Sequence, residues 1–234
     1  MNSFAPARDG SPSSHAWVVL DTETTGLSPA DSRIIEVAAA TLDPLTFETI
    51  DHRTWLLNPG GDTGPAHVHG ITNEMVADCP SFADIAADLA AYLAGKILVA
   101  HNLRFDQGFL KEEFARADVD VDFGRGFCTY RNGVKTSLAK AREELNYPPD
   151  GAHRALNDVF ATIEVLKFIT QTPDEQTSQR AAAVWGTLKP VRHTALDDDG
   201  IFSHPAEALG SRMRHLLGFL VPRRERSNDE VEAS

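Results

Sequence analysis

Short apolar blocks separated by turn residues mark the first third of the chain. Trp17–Leu20 is apolar and β-rich, ends in Asp21 and Glu23, and is broken by Gly26, the signature of a buried strand. Arg33–Leu42, RIIEVAAATL, is a second such run, and Phe47–Leu57, FETIDHRTWLL, is a third in partial alternation. The links SPADS and Asp43–Pro44 are short, which predicts an antiparallel meander. Asn58–Pro65, NPGGDTGP, reads as a loop.

The period then changes to that of helices. Thr72 is a candidate N-cap for a short helix carrying Met75 and Val76. Ser81 caps a clearer one, with Phe82, Ile85, Ala86, Leu89, Tyr92 and Leu93 at helical spacing and Gly95 as its stop. Ile97–Ala100 predicts a central strand running through His101 and Asn102 into a helix with Phe105, Phe109, Leu110 and Phe114. Phe127–Thr129 is a candidate final strand, and a helix is expected over His153–Thr170, with Leu156, Val159, Phe160, Ile163 and Leu166 on one face. From Pro173 the pattern weakens to two short helices, near Gln176–Trp185 and Ala206–Leu220, around a polar LDDDG. The expected organisation is a disordered leader over 1–16, an α/β domain over 17–172, and a partly helical extension over 173–234 with a disordered end. No internal repeat is visible.

Composition changes this picture only by exclusion. A hydrophobic content of 42% and a charged content of 24% are those of a globular domain, and no apolar run reaches the roughly 18 residues a membrane span needs. The polar, Pro/Ser-rich start lacks the apolar centre of a secretory signal. Cys79 and Cys128 form no CxxC pair, so free thiols in a cytoplasmic setting are expected and zinc is not. The net charge of −12 argues against a broad nucleic-acid surface; such a partner would be held locally. The stretch 131–142 does carry Arg131, Lys135, Lys140 and Arg142 without an acid. It could steer phosphates or form a solvated helix face.

Residues i and i+2 of a strand share a face, so Asp21 and Glu23 project side by side. Adjacent carboxylates at a buried strand end repel unless a proton or cation compensates, and a hard divalent ion suits oxygen ligands. A polar strand end before a Thr-Gly turn is the plain alternative. Asp106 lies in the first turn of a helix, where a carboxylate is favoured in any case. Asp158 lies off the apolar stripe of its helix, five residues after His153.

Three stretches, VVLDTETTGL at 18–27, HNLRFDQGFL at 101–110 and HRALNDVFAT at 153–162, resemble the motifs of the DEDDh family of 3′–5′ exonucleases. VHGITNEMV at 68–76 resembles the branch that includes polymerase proofreading subunits of the epsilon type. The resemblance spans Trp17 to Thr170. It implies a ribonuclease H-like fold, a mixed five-stranded sheet flanked by helices. It further implies two Mg²⁺ or Mn²⁺ ions held by Asp21, Glu23, Asp106 and Asp158, with His153 as general base. The implied substrate is a single-stranded 3′ end of DNA, shortened by one 5′-mononucleotide at a time in proofreading or repair. An RNA-trimming enzyme of the ribonuclease T or oligoribonuclease type, or a retired adaptor domain, is the alternative. Thr24, Thr25, Leu27, Asn102 and Phe105 are the implied nucleotide contacts, together with His67 or His69 of the loop before Gly70, for which a plain loop histidine is the other reading. Core packing is the other reading of Leu27 and Phe105, and helix capping that of Asn102. Epsilon-like members can carry a nucleotide-contacting Glu shortly before His-Gly-Ile, whereas this loop reads GDTGPAH. A polymerase subunit is a candidate partner for the extension.

Overall fold

β1 (Trp17–Thr24) runs through the middle of the molecule and every layer is built on it. It pairs antiparallel with β2 (Ile34–Leu42), which pairs antiparallel with the edge strand β3 (Thr49–Leu56). On its other side it pairs in parallel with β4 (Ile97–Ala100), which pairs in parallel with β6 (Phe127–Cys128). The result is a mixed five-stranded sheet in the order β3-β2-β1-β4-β6. This computed structural model describes residues 15–148, 154–172 and 174–193.

Alternation along β1 divides the core in two. Val18 and Leu20 face α3 (Phe82–Leu93) and α4 (Leu103–Arg116), packing with Phe82, Leu89, Phe109 and Phe114. Trp17 and Val19 face α6 (Ala155–Gln171), packing with Val159, Ile163 and Leu166. β2, buried along its whole length, alternates in the same way, with Val37 and Ala39 on one side and Ala38 and Ala40 on the other. Ser81 starts α3 as expected, its N–H and hydroxyl both donating to Asp84 at 2.9 and 2.6 Å. Gly95, at φ 75°, turns the chain into β4.

Several elements depart from the sequence pattern. The third strand begins at Thr49 because Phe47 adopts a positive φ of 58° at the end of the Asp43 turn, where the Asp43 carboxylate accepts from Leu45 N and Thr46 N. The stretch 66–76 holds two four-residue helices, α1 (Ala66–His69) and α2 (Asn73–Val76), split by Gly70 at φ 72°. A π-helical turn over Tyr130–Val134 and α5 (Leu138–Glu144) occupy the basic stretch.

The beginning of the extension folds back onto the domain. Asp174 caps α7 (Glu175–Trp185), accepting from Thr177 N at 2.7 Å. The ring of Trp185 sits 4.9 Å from that of Trp17 and 5.6 Å from that of Phe127. β7 (Arg192–His193) then pairs with β5 (Val121–Asp122). The leader up to residue 14, the region near Ala206–Leu220 and the LDDDG stretch lie outside the described residues. Among the described residues, no helix is long and apolar enough to cross a membrane, and Cys79 and Cys128 are free thiols.

Candidate active site

The alternation that sorts the core also sorts the acids. Asp21 and Glu23 continue the face of Trp17 and Val19, toward α6, and Asp158 stands in the first turn of that helix. One oxygen from each of these three carboxylates lies within 4.8 Å of the others. Asp106, from the first turn of α4, approaches from the opposite side. Its Oδ1 accepts from both the backbone N–H and the hydroxyl of Thr22, at 3.1 and 2.9 Å. Asp106 is therefore fixed beside β1 but is not a member of the tight group of three.

Electrostatics make the cluster costly without a cation. Burial pushes Asp21 well above the usual carboxylate range, and Asp106, Asp158, Glu23 and Glu36 push it further. Glu23 is raised to about 8, first by burial, then by Asp158, Glu36 and Asp106, with Arg154 opposing. Asp106 is raised to about 7 by burial, with the Thr22 hydrogen bonds acting the other way. An all-oxygen donor set that cannot hold its full charge suits a hard divalent cation.

Two charged residues at this site, Glu36 and Arg154, were not singled out by sequence reasoning, and a third, Arg142, takes a different place from the one expected. Glu36 stands opposite Glu23 in the β1–β2 register, where two like charges would repel. Arg154 answers it with a bidentate pair at 2.6 and 3.1 Å, and Ala155 N donates to the same carboxylate at 3.0 Å, so Glu36 anchors the start of α6. A lone acid inside the apolar run RIIEVAAATL was the available signal. Arg142, taken with the phosphate-steering stretch, instead turns inward: its Nη1 lies 2.6 Å from Asp158 Oδ1, and the two side chains are only 5% and 13% exposed. Its Nη2 donates to Pro148 O at 2.7 Å and its guanidinium stacks on Tyr147. Arg131, Lys135 and Lys140 stay exposed.

The expected nucleotide contacts fare unevenly. Leu27 is 86% exposed just past the strand end, so core packing does not account for it. Phe105 does pack in the core, its ring 4.9 Å from that of Phe109, with part of the side chain still open. Asn102 is exposed and its side chain makes no capping bond; only its carbonyl accepts, from Phe105 N. Thr24 turns its hydroxyl onto Gly26 O at 2.7 Å, and Thr25 is tied to Arg33 through both backbone and side chain. The His69 loop lies against that strand end: a Cβ on Gly64 would come within 2.2 Å of Thr25 O. His69 is buried, and its Nδ1 accepts from Ile71 N, so the proton is on Nε2. That atom has no partner of ordinary hydrogen-bond geometry among the described residues. His101 is a bracing residue, bonded to the Thr129 hydroxyl and to Thr136 O. His153 lies outside the described residues.

A sequence profile of the exonuclease family (RNase_T) matches residues 18–166. This chain belongs to the exonuclease family. The epsilon subunit of DNA polymerase III from Buchnera aphidicola (subspecies Schizaphis graminum) is 33% identical over 124 residues, covering 50% of this chain and 53% of that protein. The 3′–5′ exonuclease DinG of Bacillus subtilis is 32% identical over 216 residues, covering 85% of this chain and 22% of that protein. Escherichia coli exonuclease I, solved in complex with a dA16 oligonucleotide, superposes with a TM-score of 0.61 at 18% identity over 70% of this chain and 42% of that one, which shows a common fold. The exonuclease domain thus spans about half the length of the first of these relatives and a smaller share of the second. The observed sheet is the ribonuclease H-like arrangement that the motifs imply.

Proposed function

We propose that this exonuclease domain removes 5′-mononucleotides from single-stranded 3′ ends of DNA, in proofreading or repair, with the aid of two Mg²⁺ or Mn²⁺ ions. The observation that carries the reading is the convergence of Asp21, Glu23 and Asp158 from two separate motifs, within 4.8 Å, at one strand end. These three would hold the ions, with Asp106 completing the set from α4. When bound, such ions supply the positive charge that activates water and stabilises a departing 3′ oxygen. Thr22 keeps the Asp106 carboxylate oriented, and Glu36 with Arg154 fixes the helix start that carries Asp158. His153, one residue before Arg154, would take the proton of the attacking water at an imidazole nitrogen.

The exposed Leu27 and the open part of Phe105 offer apolar surface to the terminal bases, which suits sequence-tolerant contact. Thr24 and Thr25 would line the nucleotide through their backbone, Asn102 through its exposed side-chain amide, and His69 through its buried imidazole beside the strand end. DNA as substrate is supported by the polymerase-associated relatives and by the oligonucleotide held by exonuclease I.

The test uses 5′-labelled single-stranded DNA and RNA of one sequence, with Mg²⁺, with Mn²⁺ and with chelator. A metal-dependent ladder shortening from the 3′ end, faster on DNA, is expected. A faster RNA ladder would give the substrate to RNA, and no ladder from folded protein with either metal would overturn the enzymatic reading.

A further inference from the structure

Arg142 is an expensive residue at its position. Its guanidinium is buried, its Nε makes no hydrogen bond among the described residues, and its contacts to Pro148 and Tyr147 do not satisfy that donor. Burying a guanidinium is costly in itself, so packing alone gives no reason for an arginine here. Its strongest contact is the 2.6 Å ion pair with Asp158, a member of the three-carboxylate group.

We propose that Arg142 is a positioning residue that sets the charge of this cluster and weakens its hold on divalent cations. The proposal rests on reading the cluster as the metal site. Two effects oppose each other. By holding Oδ1, Arg142 helps to orient Asp158, which would favour a cation. By placing a fixed positive charge against the same carboxylate, it occupies an oxygen and repels any divalent ion beside it.

Orientation has other sources. Asp158 stands in the first turn of a helix whose start is anchored by Glu36, and its backbone N–H donates to Arg154 O. The repulsion is not duplicated: Arg154, the other cation acting on the group, is itself held bidentate by Glu36, whereas Arg142 sets its charge directly on an oxygen of Asp158. Repulsion therefore outweighs orientation, and the affinity for cations is held below what three or four carboxylates would give. A site tuned in this way fills when a phosphodiester supplies the remaining negative charge, so cation occupancy follows substrate.

Binding of Mn²⁺ to the metal-free full chain, followed by the electron paramagnetic resonance signal of the free ion, tests this without turnover. Arg142→Met should bind Mn²⁺ about 10-fold more tightly or better, the lower end of what one unit charge at 4–6 Å does to a neighbouring ionic equilibrium. Arg142→Lys, which keeps the charge, should remain near the unmodified protein, and Asp158→Asn should bind more weakly. Unchanged or weaker binding by a folded Arg142→Met variant would overturn the proposal. Should Arg142→Met fail to fold, the Arg142 Nε–H resonance of the unmodified protein decides: it should shift on Mg²⁺ addition in step with metal binding, and an unmoved resonance would count against the idea. Equal Mn²⁺ binding by Asp158→Asn and the unmodified protein would instead refute the metal-site reading itself.

Discussion

Asp21 and Glu23 show how much a two-residue spacing can carry. Their common face was legible because strand period is fixed by backbone geometry, and the first turn of a helix is equally local, so Asp106 and Asp158 were legible too. Glu36 and Arg142 were not, because their meaning lies in partners 118 and 16 residues away, which no local pattern encodes. Asp21→Asn should abolish nuclease activity and, by removing a buried charge, raise the melting temperature of the metal-free protein by about 2–4 °C for each kcal/mol relieved. Calorimetry with chelator present would read this, and a lower melting temperature would contradict it. His153→Ala should cost about 10²–10⁴ in rate, measured by single-turnover kinetics. Leu27→Ala should leave stability within about 0.5 kcal/mol, as for other exposed side chains. It should raise KM for oligonucleotides more than it lowers kcat, whereas an unchanged KM would remove Leu27 from the substrate path.

At the scale of elements, long periodic segments were easy to read and short ones were not. The three-strand meander, α3 and α6 announce themselves through sustained spacing. β5 and β7 are two residues each, formed only because α7 brings the chain back across the domain. α7 matters more than its position after the family motifs would suggest. Trp185 covers Trp17 and Phe127, which otherwise sit at the open end of the α6 face. Trp185→Ala should therefore destabilise the domain by about 3 kcal/mol, in the range of large-to-small aromatic losses. Chemical denaturation would show it as a shifted midpoint, and a midpoint within error of the unmodified protein would mean that α7 is only docked.

For the whole molecule, the acid cluster links protonation, cations and folding. The folded state raises Glu23 to about 8 and Asp106 to about 7, from ordinary values of 4.5 and 3.8. Because folding raises these acids, the folded chain binds more protons than the unfolded one between those limits. The stability of the metal-free protein should thus fall as pH rises from about 4 to about 8. Melting curves across that range, with chelator, should slope downward. Saturating Mg²⁺ should flatten the slope and add about 2.7 kcal/mol when present at a hundred times its dissociation constant. A flat metal-free profile would mean that the carboxylates are not held as close as the structure has them.

The stacking of Trp185 on Trp17 also sets an order of events during synthesis. The ribosome delivers β1 early, but the aromatic wall that closes over it emerges almost 170 residues later, and the β7 pairing after that. At about 5–20 residues per second, the nascent chain spends roughly ten seconds or more with Trp17 unsealed. The α6 face of the core is therefore closed only after the residues of the family motifs have all been made, and until then the indole of Trp17 lacks its aromatic cover.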